Sequence, residues 1–171
     1  IYYYKDSDYP ARLKHCIDAP ILLFSKGRCD LNKKHIISIV GTRHMTPYGR
    51  EFCKNFIGEL VQFDPVIISG FAYGIDICAH KTAIENSLQT IAVLAHGFND
   101  LYPSVHRKYV DDLMSNGGML TDFWHDEPIL RENFIKRNRI VAGISEATIV
   151  VESAIKGGAL ITADMANSYN R

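Results

Sequence analysis

Residues 66–76 read Val-Ile-Ile-Ser-Gly-Phe-Ala-Tyr-Gly-Ile-Asp. A short apolar run breaks into small residues and then leads into a helix-like segment, residues 77–86. In α/β proteins a buried strand followed by such a turn often holds an anion, because glycines let the backbone approach closely and a helix start offers unpaired N–H groups. The candidate binding residues of this turn are Ser69, Gly70, Ala72 and Gly74. The alternative interpretation is that the two glycines serve only a tight connection between strand and helix.

The composition of the chain is that of one globular domain. Its 171 residues are 47% hydrophobic, and no apolar run approaches the about 18 residues that a membrane helix requires. The N-terminus has no basic region followed by an apolar one, so it is not a signal peptide. The four cysteines form no C-x-x-C pair, which favours reduced thiols in a cytoplasmic protein over a disulfide or metal set. We therefore expect a cytoplasmic protein with no membrane contact, no cofactor and no metal.

Short apolar segments alternate with helix-like segments after residue 35. The predicted strands cover residues 36–40, 66–69, 90–94, 119–122 and 147–151. The predicted helices cover residues 47–63, 77–86, 104–116, 134–142 and about 159 to the chain end. The predicted N-caps are Thr46, Ser104 and Asn133, and the predicted helix stops are Gly117-Gly118 and Gly143.

This alternation predicts an α/β fold with a doubly wound parallel sheet and helices on both faces. In the common strand order, the strand at 119–122 lies beside the strand at 36–40, and ligands bind in the crevice between them. We therefore expect Gly41-Thr42-Arg43 and the helix that carries Arg137 to line that crevice.

The two ends of the chain are predicted to differ in role. Residues 1–35 are expected to form an N-terminal extension packed on an edge of the main sheet, and residues 36–171 the main domain. The chain begins without Met and stops in or just after a helix, whereas parallel sheets often continue with another strand. We therefore expect that the C-terminal part of the domain lies beyond residue 171.

Positive charge is concentrated in one place, although the formal net charge is zero. The segment 131–139 contains one acid, Glu132, and four basic residues: Arg131, Lys136, Arg137 and Arg139. Cations in the first turns of a helix oppose its dipole, at a cost of roughly a few tenths of a kcal/mol each. Arg137 also falls on an apolar stripe, where a guanidinium is costly unless it faces a partner. An anion-binding helix is favoured, and the alternative is an ordinary solvated basic face.

Two further loops carry groups that suit a phosphate. Thr42 and Arg43 follow the first main strand and offer a hydroxyl and a bidentate guanidinium. Glu152 and Lys156 follow the last strand, and Glu152 is expected to be an internal partner of Arg137 or Arg43. Exposed aromatic residues near this edge are candidates for base stacking, although most are expected to be packing residues.

No catalytic motif is present. The chain has no G-x-G-x-x-G after the first main strand, no P-loop, no G-x-S-x-G elbow and no H-x-x-x-H pair. Asp76 and His80 lie four residues apart and could form an acid/base pair, but a capping Asp and a core-edge His are favoured. We expect no catalytic residues.

The motifs together resemble the DNA-processing protein A family (DprA, also called Smf). They are Gly41-Thr42-Arg43, Ser69-Gly70-x-Ala72-x-Gly74-Ile75-Asp76, Tyr102-Pro103, Phe134-x-x-Arg137-Asn138-Arg139-Ile140 and Glu152-x-x-x-Lys156-x-Gly158. The resemblance covers nearly the whole chain and implies a mostly parallel, Rossmann-like sheet. It also implies a non-enzymatic protein that protects incoming single-stranded DNA and helps load RecA recombinase in natural transformation, with a homodimer as a candidate assembly.

The resemblance implies a basic pocket for the DNA backbone. Its residues are Gly41, Thr42, Arg43, Phe134, Arg137 and Asn138, with Lys136, Arg139 and Lys156 as neighbours. The chain departs from the family pattern at Ile135, where many members have Pro, so the start of the helix is left open. It also has Lys156-Gly157-Gly158-Ala159 in place of Lys-Ser-Gly-Ser, which leaves a phosphate contact there open.

Two other functions remain open. Phosphoribohydrolases of the LOG type share such a sheet, but their Pro-Gly-Gly-x-Gly-Thr run is not found near residue 156. A pure protein-interaction domain is the third alternative.

Overall fold

The structure, a computed structural model, describes every residue from Ile1 to Arg171. It contains one seven-stranded sheet in the order β1-β2-β6-β5-β4-β3-β7. The strands are β1 (Tyr2–Tyr3), β2 (Leu22–Gly27), β3 (Ile36–Val40), β4 (Val66–Ser69), β5 (Thr90–Val93), β6 (Gly117–Thr121) and β7 (Ala147–Val150). The five strands from β3 to β7 run parallel, whereas β1 and β2 pair antiparallel at one edge. All five predicted strands are present, with ends shifted by at most two residues.

The predicted order of these strands is wrong in one respect. The chain steps in one direction from β3 to β6 and then crosses back, so that β7, not β6, pairs with β3. The switch point of the sheet therefore lies between β3 and β7. Both orders alternate strand and helix in the same way, so the local pattern does not distinguish them.

Six α-helices connect the strands. They are α1 (Ala11–Lys14), α2 (Pro47–Leu60), α3 (Ile75–Glu85), α4 (Val110–Asn116), α5 (Arg131–Ile144) and α6 (Gly158–Ser168). Two 3₁₀ segments, Val61–Phe63 and Ser104–Tyr109, extend α2 and precede α4.

The predicted cap of α2 and the predicted stop of α4 at Gly117 are right, whereas the predicted start of α4 and both predicted ends of α5 are wrong. The Thr46 hydroxyl accepts from the Gly49 N–H at 3.1 Å and caps α2, as predicted. Ser104 caps nothing, because it opens a 3₁₀ segment. Asn133 lies buried inside α5, where its side-chain amide donates to the Pro128 carbonyl oxygen at 3.2 Å. Gly143 does not stop α5, which continues to Ile144.

The helices cover both faces of the sheet, as predicted. One face packs Ile39 and Ile67 against α2 and α3, and α4 continues this layer over Ala92 and Leu94. The opposite face packs β-strand side chains against α1, α5 and α6. Alternate residues of each parallel strand therefore point into separate apolar layers, which explains why these strands are apolar throughout.

Residues 1–35 add two strands to the edge of the sheet and pack their apolar side chains into this second layer. β2 pairs with β6 from Phe24 opposite Thr121 to Gly27 opposite Gly118. Leu13 and Leu23 are buried in the same core as the strands of the main sheet, and the Tyr9 hydroxyl donates to the Pro20 carbonyl oxygen at 2.6 Å. The segment thus shares one core with the rest of the chain, and a domain division at residue 35 stays a prediction.

His80, in the middle of α3, connects this helix to β5 and to the turn after β4. Its Nε2 contacts the Gly70 carbonyl oxygen, and its Nδ1 lies 2.7 Å from the Thr90 hydroxyl. The Thr90 hydroxyl lies farther, 3.0 Å, from its other partner, the Ile67 carbonyl oxygen. Burial lowers the pKa of His80 to about 4. The ring is therefore neutral at pH 7, with Nε2 donating to Gly70 and Nδ1 accepting from Thr90. The core-edge interpretation of His80 agrees with this placement.

None of the helices has the length and apolar character needed to cross a membrane.

The position of Leu23 predicts that residues 1–35 unfold together with the main sheet. Leu23→Ala removes a fully buried side chain, so the free energy of unfolding should fall by about 2–5 kcal/mol in a single urea transition. The matched control is Ile21→Ala on the same segment, since Ile21 is exposed and its loss should change stability by about 0.5 kcal/mol or less. A separate early transition in Leu23→Ala would show instead that the segment folds independently.

The lowered pKa of His80 predicts a pH-dependent stability. The unfolded chain takes up a proton near pH 6.5 and the folded chain only near pH 4, so the contribution of His80 is complete above pH 6.5 and is lost as the pH falls toward 4. Between pH 7 and pH 5 this loss amounts to about 2 kcal/mol. His80→Gln keeps an amide donor for Gly70 and does not titrate. Urea unfolding of both proteins should show their stability difference shrinking by that amount, and a constant difference would contradict the assignment.

Candidate functional site

An open cleft of about 760 Å³ lies at the carboxyl ends of β3 and β7. It is formed mainly by the loop after β3, the loop after β7 and the first half of α5, and the turn after β4 and the start of α6 contribute further residues. The two loops are joined by the Thr42 N–H, which donates to the Glu152 carbonyl oxygen at 2.7 Å. The helices that follow β3 and β7 pack on opposite faces of the sheet, so the loops diverge and leave a crevice. The cleft is thus at the switch point, although β7 rather than β6 supplies its second wall.

Nine of the thirteen predicted site residues line this cleft. They are Gly41, Thr42, Arg43, Gly70, Ala72, Phe134, Arg137, Asn138 and Lys156. They come from the loops after β3, β4 and β7 and from α5. The strand-end geometry brings together residues that are far apart in the sequence.

The other four predicted site residues lie elsewhere. Ser69 is buried in β4, where its hydroxyl donates to the Ile39 carbonyl oxygen at 2.6 Å. Gly74 lies behind the cleft at the start of α3, and Lys136 is exposed on α5 outside the cleft. Arg139 contacts the Asp122 carboxylate and the Asp18 carbonyl oxygen, and so fixes the N-terminal segment to β6 and α5.

Gly74 shapes the cleft indirectly. Its φ is +78°, and a β-carbon there would overlap the backbone of Thr42 and Arg43. The next residue, Ile75, donates its N–H to the Thr42 carbonyl oxygen at 3.1 Å. The turn at residues 70–74 therefore supports the loop that carries Arg43.

A row of stacked side chains forms the rim of the cleft. The guanidinium of Arg43 lies over the Phe134 ring, 5.2 Å from its centroid. The Phe134 ring meets Tyr102 edge to face, with centroids 5.4 Å apart. Arg43 is exposed, so its guanidinium is held in place by the ring and remains free to bind an anion.

Arg137 forms the floor. It is only 5% exposed, and its guanidinium donates to the Val93 carbonyl oxygen and, through Nε, to the Asn138 side-chain oxygen at 3.2 Å. Burial lowers the pKa of Arg137, and the charge of Asp76 opposes that shift. A β-carbon on Gly70 would overlap both the Asp76 carboxylate and the Arg137 guanidinium, so Gly70 is required for the two groups to lie side by side.

Asp76 is a structural partner of that floor. Burial raises the pKa of Asp76, while the charge of Arg137 and the Ala72 N–H, which donates to Oδ2 at 3.4 Å, oppose the shift. The prediction that Glu152 pairs with Arg137 or Arg43 is wrong. Its Oε2 instead accepts from the Thr46 N–H at 2.9 Å, at the start of α2.

The lining is strongly cationic. Asp76 is the one carboxylate among the lining residues, against four permanent cations: Arg43, Arg131, Arg137 and Lys156. The start of α6 adds the unpaired N–H groups of a helix that has no acidic residue in its first turn. No group of three or more histidine, cysteine or carboxylate side chains is placed to hold a metal ion. The arrangement suits a ligand with several negative charges.

Among the lining residues that were not predicted to bind a ligand are Arg131, named only as part of the basic cluster, and Tyr102, named only within a family motif. Arg131 lies at the first position of α5, which begins three residues earlier than predicted. Arg131, Phe134, Ile135 and Asn138 follow the i, i+3, i+4, i+7 spacing of one helix face, a signal that identifies Arg131 once the helix start is known. Because α5 starts earlier than predicted, Lys136 and Arg139 lie beyond its first turn and do not oppose the helix dipole as predicted.

Comparison with known proteins supports the resemblance drawn from the motifs. The family model for DNA recombination-mediator protein A matches residues 1–171. The DNA processing protein DprA of Streptococcus pneumoniae is 36% identical over 166 residues, which cover 97% of this chain and 58% of that protein. The chain spans about half the length of the curated relatives it matches.

Solved structures agree with this relationship. The X-ray structure of DNA processing protein A from Streptococcus pneumoniae has a TM-score of 0.91 and 34% identity, covering 99% of this chain and 60% of that one. The protein of the same name from Helicobacter pylori, whose structure addresses its single-stranded DNA binding mode, has a TM-score of 0.87 and 28% identity, covering 94% of this chain and 74% of that one. The predicted Rossmann-like α/β fold and the predicted family are both confirmed, and this chain belongs to the DNA recombination-mediator protein A family, the DprA/Smf proteins.

Proposed function

We propose that this chain binds single-stranded DNA, without sequence preference, in the cleft between β3, β7 and α5. The observation that carries the proposal is the cation-rich lining beside the Arg43–Phe134 stack. A phosphate backbone is the ligand that matches several cations spread along one open groove. Arg43, Lys156 and the α6 N-terminus contact phosphate oxygens, while Arg137 supplies positive potential from the floor.

The aromatic residues give the reason for a single strand. Phe134 and Tyr102 meet edge to face at the rim, next to Arg43, and a nucleobase can stack on them only if it is not already stacked in a duplex. Such stacking tolerates every base, because each has a π-face. The small residues Gly70 and Ala72 leave room for the strand to approach the floor.

The wider role follows the family. We propose a cytoplasmic, non-catalytic protein that protects incoming single-stranded DNA and helps load RecA recombinase in natural transformation. RecA and a second copy of the protein are the proposed protein partners. Two relatives support this assignment. The one from Streptococcus pneumoniae is called a DNA processing protein, and the one from Helicobacter pylori has a described single-stranded DNA binding mode.

No specific observation favours a LOG-type phosphoribohydrolase. Glu152, the carboxylate in the loop after β7, accepts from the Thr46 N–H, and its side chain does not line the cleft. The remaining carboxylate, Asp76, is buried against the floor.

The stacked Arg43 predicts a measurable loss of DNA binding. Arg43→Ala should weaken binding of oligo-dT by about tenfold or more, because a charge-assisted phosphate contact is lost. The slope of log affinity against log salt should also decrease by about 0.7, the value for one phosphate on a single strand. Fluorescence anisotropy across a salt titration measures both quantities.

Lys136→Ala is the matched control for that experiment. It removes the same charge from an exposed position on α5 that lies outside the cleft, so affinity should change by about twofold or less. If Lys136→Ala reduced binding as much as Arg43→Ala, or if Arg43→Ala bound normally, the cleft would not be the binding site.

The partner proposals are tested separately. The chain is expected to accelerate RecA filament formation on single-stranded DNA and to sediment at twice its monomer mass. Absence of either effect would remove that partner from this part of the protein and leave the DNA-binding proposal intact.

A further inference from the structure

A second group of exposed cations, with one exposed and one half-buried tyrosine, lies outside the cleft. It consists of Tyr73, Lys81, Arg107, Lys108 and Tyr109, which we call the Tyr109 patch. Tyr73 belongs to the turn before α3, Lys81 to α3 itself, and the other three to the 3₁₀ segment Ser104–Tyr109. None of these residues lines the cleft.

The two lysines converge on one ring. The Nζ atom of Lys108 lies 5.1 Å from the centroid of Tyr109, and that of Lys81 lies 5.3 Å from it. These like charges, which come from different elements, repel each other. Neither forms an ion pair, and neither does Arg107; the neighbouring acids Asp111 and Asp112 are exposed and form none with them. The three cations of the patch are therefore exposed and held by no ion pair within the chain.

A buried histidine holds the aromatic part of the patch rigid. The His106 ring packs edge to face against Tyr73, with centroids 5.2 Å apart, and lies 6.0 Å from Tyr109. Its Nδ1 is 2.9 Å from the Phe71 carbonyl oxygen, which fixes the ring to the turn after β4. Tyr73 remains 43% exposed, so much of its ring is free.

The Tyr109 patch is continuous with the cleft. Ala72, the residue before Tyr73, lines the cleft, and so does Tyr102, two residues before the 3₁₀ segment. A strand that leaves the cleft past Ala72 therefore meets Tyr73 at the next residue of the chain.

We propose that the Tyr109 patch is a second contact surface for the same single strand. Phosphates beyond those held in the cleft bind Lys81, Arg107 and Lys108, and an unpaired base stacks on Tyr73. This inference rests on the proposed function. It implies a binding site that is longer than the cleft alone.

The test compares oligo-dT of increasing length, from about 4 to about 16 nucleotides, by anisotropy with the 171-residue chain. The double variant Lys81→Ala/Lys108→Ala should bind the longest oligonucleotide about tenfold more weakly than the wild type, with a salt slope lower by about 1.4. The shortest oligonucleotide, which fills only the cleft, should bind both proteins equally. Tyr73→Ala should weaken binding of the long oligonucleotide about fivefold or more, and Tyr73→Phe, which keeps the ring, should not.

The charge control is Lys5→Ala/Lys14→Ala in the N-terminal segment. It removes two positive charges, and Lys14 also lies over a tyrosine ring, 5.4 Å from the centroid of Tyr4. This control should leave the affinity for every length unchanged. All substituted lysines are at least partly exposed, so the fold is retained.

The possible failures are distinguishable. If the Lys81/Lys108 variant binds the long oligonucleotide like the wild type, or if the Lys5/Lys14 control loses as much affinity, the second surface is excluded while binding in the cleft stands. If the wild type binds no length of oligo-dT, the proposed function fails, and this inference fails with it.

Discussion

The burial of one guanidinium organises the functional end of this fold. Arg137 reaches from α5 to the Val93 carbonyl oxygen of β5, and the Asp76 carboxylate of α3 lies beside it next to Gly70, where its charge opposes the lowering of the Arg137 pKa by burial. One side chain thus connects two elements that pack on opposite faces of the sheet. A buried charge that loses its partner is strongly unfavourable, so each of these groups constrains the position of the other. The floor of the cleft is a consequence of this pair.

The glycines of the turn after β4 follow from the same constraint. Gly70 is required because a side chain there would occupy the space between Asp76 and Arg137. Gly74 is required because its positive φ and close packing place the Thr42–Arg43 backbone. The turn that resembles an anion-binding motif therefore serves as a support: it shapes the floor and the loop, and the exposed cations come from its neighbours.

The sequence predicts local structure better than it predicts partners. The five buried parallel strands are visible as short apolar runs, and the Thr46-Pro47 start of α2 is visible as a cap. The position of β6 in the sheet is not visible in the sequence, because strand order depends on how far each connection crosses the sheet. Asn133 is a good N-cap by type, yet burial and a bond to Pro128 place it inside α5. The apolar stripe indicates that Arg137 needs a partner, but only the fold identifies Asp76.

The same limit explains how a chain with no net charge presents a cationic cleft. The sequence predicts both Arg43 and Arg139 as DNA-binding arginines. Asp122 neutralises Arg139, whereas Arg43 lies over the Phe134 ring and its charge stays available to a ligand. At physiological salt a charge acts over about 8 Å, so unpaired cations matter only where they lie close to the ligand. Long-range attraction of any polyanion is then weak. Selectivity for single strands must come from contact, where an arginine and an aromatic ring are presented together and only an unstacked nucleotide can engage both.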